Sequence, residues 1–248
     1  MRAQGGGISV EIQNQFKRYE IKYLLDGRRY AAVRHAMESR TVGDDYGRST
    51  VCNVYYDTPD HRIIRRSLEK PPYKEKMRMR SYGTPRGDSK VFLELKKKYD
   101  AVVYKRRADM TYDAAVKFIE QPLPYSQITR EIAYFMEFYG TLYPAMFISY
   151  AREAFFGADD RDLRITFDTD ILWRTEDVGL AAGVYGSPIL APGTVLMELK
   201  IAGAVPLWLS EVLAREKIYP TSFSKYGRAY TDSIISENKN VRRCEIYA

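Results

Sequence analysis

The sequence predicts an α+β fold: a closed tunnel, or barrel, of about eight antiparallel strands with helices packed outside. Three observations carry that prediction. Lys74, Lys76, Arg78 and Arg80 occupy alternate positions, a period that a strand places on one face and a helix scatters. After the turn-like composition of Gly83-Thr84-Pro85-Arg86-Gly87-Asp88, a second run sets Val91, Leu93 and Leu95 against Phe92, Glu94, Lys96 and Lys98, so the two runs read as an antiparallel hairpin with one cationic face. The same parity of charge returns in the flanking strands. No glycine-rich nucleotide loop joins a strand to a helix, which disfavours a doubly wound parallel sheet.

A charged strand face is ordinarily the wet side of a half-buried sheet. Cations about 6 Å apart repel by about 0.7 kcal/mol in water and about 3 kcal/mol at an effective dielectric of 20, so solvent tolerates such a row whereas a lumen needs an anion to fill it. Recurrence of the pattern on several strands favours the lumen over the wet face.

In chain order, Phe16 to Leu25 alternates Arg18, Glu20 and Lys22 with Tyr19, Ile21, Tyr23 and Leu25. Asp26 to Ser39 favours a helix capped by Asp26, with Tyr30, Val33, Ala36 and Met37 on its apolar side. Val51 to Tyr56 is a β-branched and aromatic strand, and Asp57-Thr58-Pro59-Asp60 a turn. Beyond the hairpin, Ala101 to Tyr112 reads as a strand with Lys105 and Arg107 on one face and Arg106 on the other. Helices are expected over Asp113 to Glu120 and Tyr125 to Tyr139, separated by Pro122 and Pro124. Strands follow at Ala145 to Phe155, Leu163 to Ile171 and Thr194 to Ile201, where Glu198 and Lys200 share a face opposite Val195, Met197 and Leu199. Trp173 to Gly193, rich in Gly and Pro, reads as a long flexible loop. Helices over Ala204 to Glu216 and Ser222 to about Ser236 close the fold. Residues 1–12 read as a disordered lead, 13–236 as one folded domain and 237–248 as a frayed tail.

The 248 residues, 45% of them hydrophobic, suffice for a folded core, and the formal charge of +7 points to anionic partners. Two cysteines, Cys52 and Cys244, imply no disulfide framework or metal site, and no apolar run approaches the ~20 residues that span a bilayer. A reduced, cytoplasmic protein without a membrane segment is expected. The cations follow strand parity and no nucleic-acid motif is present, so a nucleic-acid partner is not expected. His35 and His61 group with nothing that makes a metal site. The 21 tyrosines fall mostly on apolar parity or in loops, which suits core packing.

The motifs RYEIKYLL, VYYDTPD, EKPPYKEKMRMRSYG, VFLELKKK, VVYKRR, YAREAF, RITFD, VLMELK and SFSKYG occur in this order from about Phe16 to Tyr230. Together they resemble the catalytic domain of the vacuolar transporter chaperone (VTC) polyphosphate polymerases, in its stand-alone bacterial form, within the triphosphate tunnel metalloenzyme superfamily. The resemblance implies a tunnel of eight antiparallel strands that binds a triphosphate with a divalent metal, Mn2+ or Mg2+, and transfers the γ-phosphoryl of ATP to inorganic polyphosphate. It assigns phosphate contacts to Lys22, Arg78, Arg80, Lys96, Lys105, Arg152, Lys200 and Lys225, and the metal to Glu198. Arg78, Arg80, Lys96 and Glu198 are the implied catalytic set. The eukaryotic polymerases also carry a phosphate-sensing domain and membrane helices, and neither is seen in this sequence.

A ring of fixed cations with one metal is a sufficient active site for moving a phosphoryl group, because that chemistry needs positioning and charge stabilisation more than covalent help. Lys74, Lys76 and Lys98, nearer the strand ends, suit a solvated surface equally well. Glu20 and Glu94 could neutralise neighbouring cations or bind metal, and a salt bridge suits Asp168 better than a metal. Hydrolytic relatives open with a Glu-x-Glu-x-Lys strand, whereas this chain has Arg18-Tyr19-Glu20-Ile21-Lys22. Arginine cannot ligate a metal, which argues against a second ion that activates water and so against hydrolysis as the main reaction. A hydrolase acting on triphosphates and a non-catalytic polyphosphate-binding module remain the alternatives.

Overall fold

The computed structural model describes residues 19–100 and 102–246, without the side chains of 236–246. The expected lead, Phe16 and Arg18 lie outside the described residues. A 10-stranded antiparallel sheet is followed along the path β1 (Tyr19–Leu25), β10 (Val195–Ile201), β8 (Arg164–Arg174), β7 (Tyr143–Gly157), β3 (Ser49–Asp57), β4 (Tyr73–Tyr82), β5 (Lys90–Tyr99) and β6 (Val102–Thr111). Two short strands lie off that path: β2 (Thr41–Gly43) pairs with β7, and β9 (Ser187–Pro188) with β8. The expected strands are all present and antiparallel.

Among the described residues the hydrogen-bonded ladder does not close. Its edges are β1 and β6, which do not pair with each other, so the expected closed barrel is corrected to a curled open sheet. Among the described residues side chains rather than backbone groups meet near these edges. The curl is nonetheless tight, since Lys96 of β5 reaches Glu20 of β1 at 3.4 Å.

Period-two alternation gives every long strand an outer and a lumen face. Two apolar cores cover the outside. Met77, Met79, Leu93 and Leu95 pack under α3 (Tyr112–Glu120) and α4 (Gln127–Tyr139) through Phe118, Ile132 and Phe135. Tyr23, Met197, Leu199 and Phe167 pack under α1 (Gly27–Met37) and α5 (Leu207–Arg215) through Val33, Leu209 and Val212. Side-chain caps fix the starts of α1 and α4. Asp26 accepts from Arg29 N at 2.8 Å, and Ser126 and Thr129 form a capping box.

A third core lies on the concave side. Tyr55, Met146, Ile148 and Trp173 meet α6 (Lys225–Ile246) at Tyr226, Ala229 and Tyr230, so this helix fills part of the space the sheet encloses. It continues past the expected end near Ser236. A short helix the sequence reading did not expect, α2 (Arg62–Leu68), is fixed by Asp57. The Asp57 carboxylate accepts from Ile63 N at 2.9 Å, Ile64 N at 3.0 Å and the Tyr226 hydroxyl at 2.7 Å, joining β3, α2 and α6.

The stretch expected to be a flexible loop is pinned. Arg174 donates to the carbonyls of Asp177, Gly179, Gly183 and Tyr185 at 2.9–3.1 Å, and its guanidinium lies 3.6 Å from the Phe147 ring centroid. One buried guanidinium thus ties together four backbone carbonyls of the loop. Among the described residues no helix is long and apolar enough to cross a membrane.

Candidate functional site

Strands β4, β5 and β6 form one wall of the lumen. Arg78, Glu94 and Arg107 face one another across adjacent strands, because the register pairs Arg78 with Glu94 and Glu94 with Arg107. Glu94, only 2% exposed, is the hub. Arg78 Nε donates to it at 2.8 Å, Arg107 Nη2 lies at 2.7 Å, Lys105 Nζ at 2.8 Å and Arg80 Nη1 at 3.8 Å. Four cations share one carboxylate, so this wall keeps an excess of positive charge.

The opposite wall is built from β7, β8, β10, β1 and the start of α6. Arg152 grips the fully buried Asp168 with two hydrogen bonds, at 2.6 and 2.7 Å, and Lys225 reaches the same carboxylate at 2.5 Å. Arg152 also approaches Glu198 at 3.5 Å, and Lys22 lies 3.9 Å from it. Two lysines tie the lumen to the segment before α6: Lys22 donates to the Phe223 carbonyl and Lys76 to the Ser224 hydroxyl, each at 3.0 Å.

Electrostatics follow from this crowding. Burial raises the Glu94 carboxyl, but Arg78 and Lys105 outweigh it and hold the group well below the carboxylate range. Glu198 is likewise held low, its burial overcome by a hydrogen bond with Glu20 and by Lys200, Lys22 and Lys225. No carboxylate is among the chief influences on Lys76. Burial, then the charges of Lys22, Lys96, Lys74 and Arg78, push its ammonium down to about 7. Burial pushes Lys105 down to about 8 despite Glu94. Lys200 is lowered by burial as well, whereas Lys225 is raised, burial notwithstanding, by Asp168 and Tyr150.

Every expected site residue faces the lumen: Lys22, Arg78, Arg80, Lys96, Lys105, Arg152, Glu198, Lys200 and Lys225. Asp168 serves as a salt-bridge partner, as its sequence context suggested. Glu94 neutralises cations and does not stand beside the other carboxylates. Three features escaped the sequence reading. Arg107 joins Glu94 directly, Lys76 reaches the Ser224 hydroxyl before α6, and two tyrosines are not core residues of the outer face. The Tyr55 hydroxyl accepts from Arg78 Nη1 at 3.3 Å, and Lys225 lies 4.4 Å from the Tyr150 ring centroid.

Among the described residues no group of three or more His, Cys, Asp or Glu side chains converges as a metal cage. Glu20 and Glu198 do come together, both beside the Lys22 ammonium, at 3.5 and 3.9 Å. Two adjoining carboxylates suit a hard divalent cation that takes its other ligands from phosphate and water. The expected metal therefore fits the donors present, with Glu20 beside Glu198.

Solved structures share the fold at low identity. A candidate adenylyl cyclase from Hippeastrum, described as having a dominant triphosphatase activity, superposes with a TM-score of 0.54 at 15% identity, covering 86% of this chain and 95% of its own. A candidate adenylate cyclase from Bacillus halodurans gives 0.50 at 12% identity, covering 83% and 92%. No curated protein matches in sequence. A family model described as the VTC domain matches residues 17–233, a span that contains both lumen walls and the first turns of α6. This chain belongs to the VTC domain family.

Proposed function

We propose that the lumen binds a triphosphate and transfers the γ-phosphoryl of ATP to a growing inorganic polyphosphate chain. The observation that carries this reading is the uncompensated charge: Lys22, Lys76, Arg78, Lys96, Arg107 and Lys200 converge with Arg80, Lys105, Arg152 and Lys225 on too few carboxylates to neutralise them. A polyanion threaded along the strands supplies the missing charge.

Arg78 and Arg107 present fixed guanidinium planes that Glu94 orients, suited to bidentate grip on phosphate oxygens. Arg152, oriented by Asp168, does the same from the opposite wall. These charges are set before substrate arrives, so they stabilise the transferring group without reorganising. Mn2+ or Mg2+ held by Glu198 with Glu20 would offset charge on the phosphate oxygens. The acceptor, a polyphosphate end, is already an anion and needs no general base.

Incubating the pure protein with labelled ATP and Mn2+, then resolving polymer from free phosphate, tests the proposal. Polymer is expected. Free phosphate alone would make it a triphosphatase, and neither product under any divalent metal would leave a polyphosphate-binding module.

A further inference from the structure

At one end the cationic row of β4 runs out onto two aromatic rings. Tyr82, the last residue of β4, is 53% exposed, and its ring meets Phe92 of β5 edge to face, with centroids 6.2 Å apart at 87°. Guanidinium groups back both rings. Arg80 lies 4.9 Å from the Tyr82 centroid and donates to its hydroxyl at 2.9 Å, while Arg107 lies 4.5 Å from the Phe92 centroid. Both arginines also contact Glu94, so the rim is continuous with the phosphate-binding wall. The opposite end of the same hairpin is unlike it, pairing Lys74 with Lys98.

Tyr82 is held in place by its backbone. It pairs with Val51, and the next residue, Gly83, has φ +72°. Gly83 N donates to Thr50 O at 2.8 Å, and its carbonyl accepts from the Ser81 hydroxyl at 2.7 Å. A side chain at Gly83 would be strained by that φ, so glycine fixes where the strand stops and where the ring stands.

We propose that the Tyr82–Phe92 rim is a base-stacking subsite for a nucleoside triphosphate whose phosphates lie on Arg80 and Arg78. The inference rests on the triphosphate reading above and adds what it lacks, a means of telling a nucleotide from a bare phosphate chain. Aromatic and guanidinium faces are the two surfaces on which any nucleobase stacks, so selection here is for a base over no base, and weak among bases. The spacing suits such a ligand. Four strand residues, about 13 Å at 3.3 Å per residue, separate Arg78 from Tyr82, comparable to the reach from the terminal phosphate of a nucleotide to its base.

Calorimetric titration with ATP and with tripolyphosphate, without turnover metal, tests the proposal. Tyr82→Ala is expected to weaken ATP about tenfold and tripolyphosphate less than twofold. Tyr82→Phe, which keeps the ring and loses the hydroxyl bonded by Arg80, should retain near wild-type affinity for ATP. In the wild type, ATP and GTP should bind a few-fold tighter than CTP and UTP, a comparison that stands even if a variant folds poorly. Equal losses for both ligands in Tyr82→Ala, no loss for either, or four equal nucleotide affinities would overturn the stacking subsite while leaving the tunnel reading intact. Failure of the wild type to bind tripolyphosphate would instead remove the tunnel reading and this inference with it.

Discussion

Lys96 of β5 stands 3.4 Å from Glu20 of β1, joining two strands that share no backbone ladder. Side chains therefore bridge these two strands, and α6 packs on the concave face. An exposed ion pair of this kind contributes at most about 1 kcal/mol. Lys96→Ala should accordingly leave chemical denaturation almost unchanged while weakening tripolyphosphate binding. A large loss of stability with intact binding would show that the contact is structural.

Glu94 behaves oppositely, because it is buried among cations. Glu94→Gln removes the one charge that Arg78, Lys105 and Arg107 share, and breaking a buried ion cluster from one side typically costs about 3–5 kcal/mol. Tripolyphosphate should restore more stability to this variant than to the wild type, read as a larger rise in thermal midpoint. The pH dependence has a defined sign. The folded carboxyl is depressed, so its contribution is fully present above the unfolded value of about 4.3 and is lost as pH falls through the lower folded value. Glu94→Gln should flatten the acid limb of the stability curve.

Lys76 predicts proton uptake. Its ammonium, pushed down to about 7 by burial and by Lys22, Lys96, Lys74 and Arg78, is largely neutral at pH 8, and a bound polyanion should recharge it. Between about 7 and the unfolded value near 10.4 the unfolded chain binds the extra proton, so the empty protein gains stability from this group as pH rises. Tripolyphosphate binding at pH 8 should show an apparent enthalpy that varies with the ionisation enthalpy of the buffer. Lys76→Arg should reduce that dependence, leaving the share of Lys105, whose own value is about 8. A buffer-independent enthalpy in the wild type would refute the prediction.

Alternation made the lumen walls legible, since a period of two assigns Arg78, Lys96 and Glu198 to one face whatever their neighbours are. Closure was not legible, because whether β1 meets β6 depends on register and curl summed over the whole sheet. Parity also fails at a bulge. Between Ser149 and Ala151 the β7–β8 register slips, Asp170 takes φ +51°, and the lumen face of β8 passes from Thr166 and Asp168 to Ile171 and Trp173. The Glu94 hub needed the cross-strand partners Arg78 and Arg107, which no single strand reveals. Arg174 carried no periodic signal at all, since its partners are loop carbonyls.

Glu198 and Arg78 separate catalysis from binding. Glu198 is surrounded by Lys22, Arg152 and Lys200 and touches Glu20, so its charge is compensated whether or not a metal joins it. Glu198→Gln takes away donor strength for a divalent ion but frees no cation from its other neighbours. Turnover should drop by about 10²–10³, the usual effect of losing one preorganised charge-stabilising group, while tripolyphosphate affinity without metal stays within a few-fold. Arg78→Ala removes a guanidinium proposed to grip phosphate and strips Glu94 of its closest partner, so affinity and turnover should fall together. Measuring both quantities for both variants resolves the roles: full activity in Glu198→Gln would end the metal assignment, and unchanged affinity in Arg78→Ala would show that the phosphate chain lies against the other wall.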